Sequence, residues 1–142
     1  MLKALTPENF KKYGRIIEYP KRDLKAKKRN LWKVILVDKF AKGWRIAYLI
    51  VRNKAIKRLE RHPFTYESFE PISGKALLLV SRGASPQMID SFRLSKPVIL
   101  KKGIWHGVVS ISLESDIKIT ENAKVQCQFW QLPTKLPKRH DR

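Results

Sequence analysis

Short runs of β-branched and apolar residues, separated by turn residues, constrain the fold of this chain more than any other feature of its sequence. The runs recur roughly every 8–12 residues, and this spacing is typical of an all-β sandwich or barrel. We predict strands at residues 15–19, 31–37, 44–51, 56–62, 77–80, 89–94, 98–100, 104–106, 108–113, 116–120 and 125–130. The second and third of these flank a turn at Gly43, which predicts a β-hairpin.

One short helix is predicted near the N-terminus, at residues 5–14. Thr6 suits the N-cap, Pro7 suits the first helical position, and Gly14 suits the C-terminal end. Phe10 and Tyr13 are three residues apart and would share the buried face of this helix. The pattern as a whole therefore predicts an all-β protein with a single short helix at its start.

The length of 142 residues predicts one domain spanning residues 1–142, with a flexible Pro- and Lys-rich tail at residues 133–142. No apolar run approaches the roughly 20 residues that cross a bilayer, and residues 1–10 lack the apolar core of a secretion signal. The single cysteine, Cys127, excludes an internal disulfide and fits a reducing compartment. We therefore predict a cytoplasmic protein in which Cys127 is an inert core thiol. Trp32, Trp44 and Trp130 are predicted to be core or dimer contacts.

The formal net charge is +19, and residues 1–62 carry 19 Lys/Arg against 5 Asp/Glu. Such a field attracts nucleic acid or small anions, although it also arises when lysines and arginines only solvate a surface. The basic run at residues 21–30 contains no aromatic residue on which a base could stack. No nucleic-acid-binding motif is present, so a nucleic-acid-binding function is an alternative that the sequence does not favour.

Two of the three histidines, His62 and His106, lie within β-rich sequence close to turn residues, whereas His140 lies in the basic tail. If their two segments face each other across a barrel, His62, His106 and Glu67 form one polar cluster in an apolar interior. A cluster of this kind is a candidate active site, because histidine titrates near neutral pH. Structural roles remain open alternatives: either histidine can hydrogen-bond to backbone carbonyls, and Glu67 can be an exposed loop carboxylate.

Within the strand at residues 56–62, Glu60 and His62 point to one face and Arg61 to the other. Two spaced motifs result, which read Glu60-x-His62-x4-Glu67-x6-Gly74 and Gly103-x2-His106. They resemble the paired motifs of the cupin superfamily, whose members are small double-stranded β-helix barrels. The chain departs from the cupin pattern in having Glu60 at the first histidine position and Lys54 at the upstream glycine position.

A closer resemblance rests on several islands of sequence. The islands are Leu5-Thr6-Pro7-Glu8-Asn9-Phe10 with Tyr13-Gly14, Leu59-Glu60-Arg61-His62-Pro63 with Phe69 and Pro71, and Trp105-His106. In this order and near these separations they resemble the ureidoglycolate lyase family over about residues 4–113. Glu67 stands where that family is expected to have glutamine, and Gly107 where it often has a second histidine or another polar residue.

The resemblance implies a cupin barrel, usually a homodimer, that eliminates urea from ureidoglycolate to leave glyoxylate in allantoin (purine) breakdown. This lyase chemistry requires a base, an acid and a cation for the carboxylate of a small anionic substrate. His106 would act as base or acid, with His62 and Glu67 as its partners.

The same side chains suit a divalent metal ion such as Zn, Mn, Fe or Ni. His62, Glu67 and His106 would be three ligands, and Glu60 a fourth. The sequence therefore leaves three functions open: a lyase, a non-catalytic cupin that binds a metal or a small molecule, and a basic nucleic-acid-binding protein.

Overall fold

The computed structural model describes residues 1–19 and 29–133, so most of the basic run at residues 21–30 and of the C-terminal tail, including His140, lies outside the described residues. Within the described ranges one helix, α1, spans Pro7–Phe10, and eleven strands form two sheets. The strands are β1 (Leu2–Lys3), β2 (Gly14–Ile16), β3 (Arg45–Val51), β4 (Arg58–Arg61), β5 (Glu67–Ser73), β6 (Ala76–Ser81), β7 (Asp90–Arg93), β8 (Val98–Leu100), β9 (Trp105–Ser110), β10 (Ser115–Glu121) and β11 (Gln128–Gln131). The single helix of this part of the chain is too short to cross a membrane.

The two sheets have the strand orders β1-β7-β6-β9-β4-β11 and β2-β8-β5-β10-β3. Four antiparallel pairs are nested inside one another: β6 with β7, β5 with β8, β4 with β9, and β3 with β10. From β3 to β6 the chain thus passes from the outermost pair to the innermost, alternating between the sheets, and from β7 to β10 it returns outward beside itself. This winding is the double-stranded β-helix, or jelly roll, and the predicted all-β cupin fold is confirmed.

The core lies between the two sheets, where Phe69, Leu78, Val98 and Ile117 are fully or almost fully buried. Residues of this type contribute roughly 1.5–3 kcal/mol each when they leave water. The same packed layer supports the strand ends that carry the polar cluster described below.

Helix α1 begins as predicted but ends earlier. Thr6 is its N-cap, since the backbone N–H of Asn9 donates to Thr6 Oγ1 over 3.2 Å, and Pro7 is its first residue. The helix places Phe10 edge-on against Phe92, with 5.1 Å between the ring centroids. Gly14 lies in β2 rather than at the end of the helix, and a Cβ there would fall 1.9 Å from the carbonyl oxygen of Ile99. Gly14 is therefore required by the close approach of β2 and β8.

The predicted hairpin between residues 31–37 and 44–51 is wrong. Residues 31–37 form no strand, and β3 pairs along its whole length with β10, from Arg45 opposite Glu121 to Val51 opposite Ser115. Nested pairing supplies β3 with a sequence-distant partner, so it needs no neighbouring strand. Strands β1 and β5 were not predicted, and the predicted strands at residues 104–106 and 108–113 are one strand, β9, that continues through Gly107.

Tyr13 and Asp90 form a buried pair that couples the folded state to pH. The Tyr13 hydroxyl donates to Asp90, and Lys3 Nζ lies 3.1 Å from the same carboxylate. Burial and the Asp90 contact raise the pKa of Tyr13 to about 12. Burial alone would raise the pKa of Asp90, but the bonds from Tyr13 and Lys3 lower it below its ordinary value.

The stability of the fold is therefore expected to fall at both ends of the pH scale. Asp90 stabilises the fold above its unfolded pKa of about 4, and this contribution disappears as the pH falls through its lowered folded pKa. Tyr13 stabilises the fold below its unfolded pKa of about 10, and this contribution disappears as the pH rises through the raised value. Urea unfolding of wild type and Tyr13→Phe between neutral and alkaline pH measures the second effect. An equal alkaline loss of stability in both proteins would contradict this assignment.

Candidate active site

The polar residues singled out by the motifs come together from both sheets. Strands β4 and β9 are neighbours, and their register places Glu60 directly opposite His106. His62 follows the last residue of β4, and Glu67 is the first residue of β5 in the other sheet. The barrel thus brings two separate segments to one chamber, as the motif spacing predicts.

Glu67 stands at the centre of this cluster. One of its oxygens, Oε2, lies 2.9 Å from His62 Nε2 and 3.0 Å from His106 Nε2. Glu60 Oε1 lies farther away, at 3.6 Å from each of the same two nitrogens. His62, Glu67 and His106 are only 5%, 4% and 6% exposed, so the open alternative of an exposed Glu67 is excluded. The two imidazole rings have centroids 5.3 Å apart.

Both histidines are oriented by backbone carbonyls at their other ring nitrogen. His62 Nδ1 lies 3.1 Å from the carbonyl oxygen of Gln126, and His106 Nδ1 lies 3.0 Å from that of Ile104. A carbonyl oxygen only accepts, so each Nδ1 carries the hydrogen and donates it. In the neutral ring, each Nε2 then presents a lone pair to the cluster. Both rings therefore hydrogen-bond to backbone carbonyls through Nδ1. This contact orients each ring and leaves Nε2 available to the cluster.

The atoms at the centre are close together but poorly hydrogen-bonded. His62 Nε2, His106 Nε2 and Glu67 Oε2 are buried, and none of them makes a hydrogen bond of acceptable direction within the described residues. Buried polar atoms without partners are rare and costly in native proteins. Two such nitrogens, each about 3 Å from the same unpartnered carboxylate oxygen, are typical of ligands that surround a cation.

The charges in the cluster shift the pKa of each member. Burial alone would lower the pKa of His106, but contacts with Glu60 and Glu67 raise it to about 10. Burial would likewise lower the pKa of His62, yet Glu67 raises it above its ordinary value. Burial would raise the pKa of Glu67, whereas His106 and His62 lower it to about 2. The His106 contact also lowers the pKa of Glu60. All four shifts show that the carboxylates favour positive charge at the two Nε2 positions.

Glu60, His62, Glu67 and His106 form a group that can hold a divalent metal ion. Each offers one ligand atom, and all four atoms lie within 4.8 Å of one another. Two imidazole nitrogens and two carboxylate oxygens are a donor set that divalent transition metals accept. With neutral histidines, the two carboxylates also balance the charge of one divalent cation.

A cavity of about 420 Å³ opens beside this group. Glu60, Glu67 and His106 form its polar end, and much of the remaining wall is apolar and aromatic, with Phe69 and Phe129 among its residues. The cavity thus combines apolar and aromatic side chains with convergent polar groups, a combination that is usual for a small-molecule site.

A family model described as ureidoglycolate lyase matches residues 1–134. The chain belongs to the ureidoglycolate lyase family. Among solved structures, a variant of Bacillus subtilis oxalate decarboxylase is similar at 25% identity and a TM-score of 0.48, covering 64% of this chain and 24% of that chain. The same enzyme at pH 4.6 matches at 22% identity and a TM-score of 0.47 over the same 64% and 24%. The chain therefore spans about a quarter of the length of these structures. No curated protein matches it.

One neighbour of the cluster in this ureidoglycolate lyase family member, Glu121, was not singled out from the sequence. Glu121 lies opposite Glu67 in the pairing of β10 with β5, and its Oε2 is 3.8 Å from His62 Nε2. Its other oxygen, Oε1, is 2.6 Å from Arg45 Nη2. The strand register that joins Glu121 to Glu67 spans distant parts of the sequence, so no local signal could have indicated it.

Cys127 also lies beside the cluster, and its prediction as a core thiol is wrong. The residue is exposed, with Sγ 3.6 Å from His62 Nδ1. It precedes β11, which is an edge strand whose side chains are largely exposed. The apolar appearance of residues 125–130 thus reflects an edge of the sheet rather than the core.

Proposed function

We propose that this protein is a ureidoglycolate lyase that releases urea from ureidoglycolate and leaves glyoxylate, with His62, Glu67 and His106 at its active site. The observation that carries the proposal is the meeting of two Nε2 atoms at one carboxylate oxygen beside an open cavity. Membership of the ureidoglycolate lyase family supports the choice of reaction.

The reaction moves one proton and breaks one carbon–nitrogen bond. The substrate hydroxyl loses its proton as its carbon–oxygen bond becomes a carbonyl, and the bond from that carbon to the urea nitrogen breaks. The urea nitrogen takes up a proton as it departs. The chain must therefore supply a proton acceptor near the hydroxyl and a proton donor near the nitrogen.

Glu60 and His106 are the titratable groups placed for these tasks, because both line the cavity. The Glu60 carboxylate is half-exposed at the wall and accepts the hydroxyl proton. His106, held by the carbonyl of Ile104, presents Nε2 to the reacting atoms. When Nε2 carries a proton, the raised pKa of His106 keeps it there until the departing nitrogen becomes a stronger base.

We further propose that the group binds a divalent cation, with His62, Glu67 and His106 as ligands and Glu60 as a fourth. The unpartnered Nε2 and Oε2 atoms support this fit, and Zn, Mn, Fe and Ni all suit the donors. When bound, such a cation supplies Lewis-acid stabilisation of negative charge on substrate oxygens. A nitrogen that binds a cation carries no proton, so His106 Nε2 is either a metal ligand or a proton donor. Removal of the cation with a chelator distinguishes these two roles.

The purified protein is expected to release glyoxylate and urea in equal amounts from ureidoglycolate, above the rate of spontaneous decay. Glyoxylate can be followed with a coupled reductase, and urea can be measured independently. Assays in the presence and absence of added Mn²⁺ or Zn²⁺ include the proposed cation. No release above the spontaneous rate under any of these conditions would exclude the proposed activity.

We also propose a cytoplasmic homodimer. The outward face of the edge strand β3 presents Ile46, Tyr48 and Ile50, which are 54%, 61% and 45% exposed. An apolar row of this kind on an edge strand is typical of a surface that pairs with another chain. A mass of one chain in light scattering would contradict the dimer. Neither alternative function, a non-catalytic binding protein or a nucleic-acid-binding protein, has a specific observation in its favour among the described residues.

A further inference from the structure

Arg58 occupies a distinctive place in the cavity. It is the first residue of β4, two residues before Glu60, so both side chains point to the same face of the sheet. Both residues line the cavity beside His106. Two residues of strand separate their Cα atoms by about 7 Å, so a positive side chain and the Glu60 carboxylate share one wall of the cavity.

The guanidinium of Arg58 is held in position by an aromatic ring. Its central carbon lies 4.0 Å from the centroid of Phe129, which also lines the cavity. Phe129 is fixed in turn, since it pairs with Glu60 in the register of β11 and β4. Stacking on a ring occupies the flat face of a guanidinium and leaves the N–H groups at its edge free to donate.

The arginines near this end of the barrel differ in whether their donors are already used. Three of them are bound: Arg45 to Glu121, Arg52 to Glu114, and Arg61 to Gln128 and the carbonyl of Gly83. Arg58 has no carboxylate within 4.0 Å among the residues at 1–19 and 29–133. Its fork of donors is therefore available to a ligand.

The polar end of the cavity creates a need for such a donor. Glu60 and Glu67 are two carboxylates in the wall of the cavity, and they repel the carboxylate of an anionic substrate. A cation on the neighbouring wall offsets this repulsion and fixes which end of the substrate faces the carboxylates. The urea end of ureidoglycolate is rich in N–H donors and suits the acidic end of the cavity.

We propose that Arg58 binds the substrate carboxylate and thereby selects small 2-hydroxy acids whose other end carries N–H donors. The inference rests on the proposed function and adds a residue that sets substrate binding and orientation. In the alternative arrangement, the carboxylate binds to a cation held by the histidines, and Arg58 only packs on Phe129.

Three variants test the assignment. Arg58→Gln removes the charged fork, Arg58→Lys keeps the charge without the fork, and Lys57→Gln is the matched control that removes an adjacent exposed positive charge. A charged hydrogen-bonding pair of this kind changes binding by about 10- to 100-fold. We expect Arg58→Gln to raise KM for ureidoglycolate by that factor with kcat within about threefold, and Arg58→Lys to fall between it and wild type. Lys57→Gln should remain within about twofold of wild type.

A KM for Arg58→Gln within twofold of wild type overturns the proposal, as does an equal rise in Lys57→Gln, which would indicate only the general field of the protein. Thermal unfolding of each variant confirms that it is folded. Calorimetric titration with glyoxylate, which retains the carboxylate, separates this inference from the proposed function. A further outcome is that wild type binds glyoxylate without turning over ureidoglycolate. In that case, loss of glyoxylate binding in Arg58→Gln supports the role of Arg58 in binding the carboxylate, while the proposed lyase activity is contradicted. Equal glyoxylate binding by wild type and Arg58→Gln overturns the role of Arg58 in binding the carboxylate, whether or not the protein has lyase activity.

Discussion

Replacing His106 by alanine is expected to lower kcat/KM for glyoxylate release at least about 100-fold, the usual effect of losing a positioned acid–base group. The ring presents Nε2 both to the cavity and to Glu67 at 3.0 Å, so its loss removes a proton carrier or a metal ligand together with the charge partner of Glu67. His106→Gln should be equally inactive, because glutamine keeps a polar side chain but neither titrates nor coordinates well.

The glutamine variant also guards against a trivial loss of fold, since alanine leaves a cavity and an unpaired buried carboxylate. Both variants are compared with His140→Ala, the third histidine, which the sequence places in the basic tail and which should retain full activity. Glyoxylate release by folded His106→Gln at the wild-type rate would remove His106 from the active site.

Divalent cations are expected to raise the melting temperature of the metal-free protein. A ligand at 100 times its dissociation constant stabilises the folded state by about 2.7 kcal/mol. For a chain of this size that corresponds to an increase of about 5–10 °C. His62→Ala and His106→Ala should each abolish the increase with Mn²⁺ or Zn²⁺, because each removes one of the Nε2 atoms that meet at Glu67.

Cys127→Ser is the matched control for the melting experiment. The Cys127 sulfur lies 3.6 Å from His62 Nδ1, the ring nitrogen that points away from Glu67. The variant should therefore keep the full increase in melting temperature. A melting temperature that no divalent cation changes, or an increase that survives in both histidine variants, would contradict a metal site here. Chelator treatment of active enzyme then shows whether turnover depends on the cation.

The fold was predictable as a class, because strand spacing indicates a barrel and the motif islands indicate a cupin. The pairing partners of individual strands were harder to predict. Residues 31–37 and β3 have strand-like composition and flank a glycine, and a hairpin is the local solution to such a pattern. The jelly roll instead pairs β3 with β10, a partner determined by the winding of the whole chain. Trp32 and Trp44, predicted as core or dimer contacts, are 87% and 70% exposed and contribute nothing to the core.

The sequence predicted the residues of the candidate site that belong to the two spaced motifs. The motifs named Glu60, His62, Glu67 and His106, and the structure brings these four together. Burial of Glu67 was one of two alternatives that the sequence left open, because a carboxylate is seldom buried unless partners surround it, and its partners arrive from other strands. The availability of Arg58 was equally hidden, since it depends on which other arginines already have carboxylate partners.

The nested pairing of strands has a consequence for how the protein forms. The innermost pair, β6 with β7, closes a short loop, whereas each successive pair outward joins residues that are farther apart in sequence. Closing longer loops costs more chain entropy, and proteins dominated by non-local contacts fold slowly. The histidines come together only when β4 meets β9, the third of the four pairs, so we expect folding intermediates to lack the chamber entirely. In a newly synthesised chain the candidate active site would therefore form late, after the inner strand pairs of the barrel have formed.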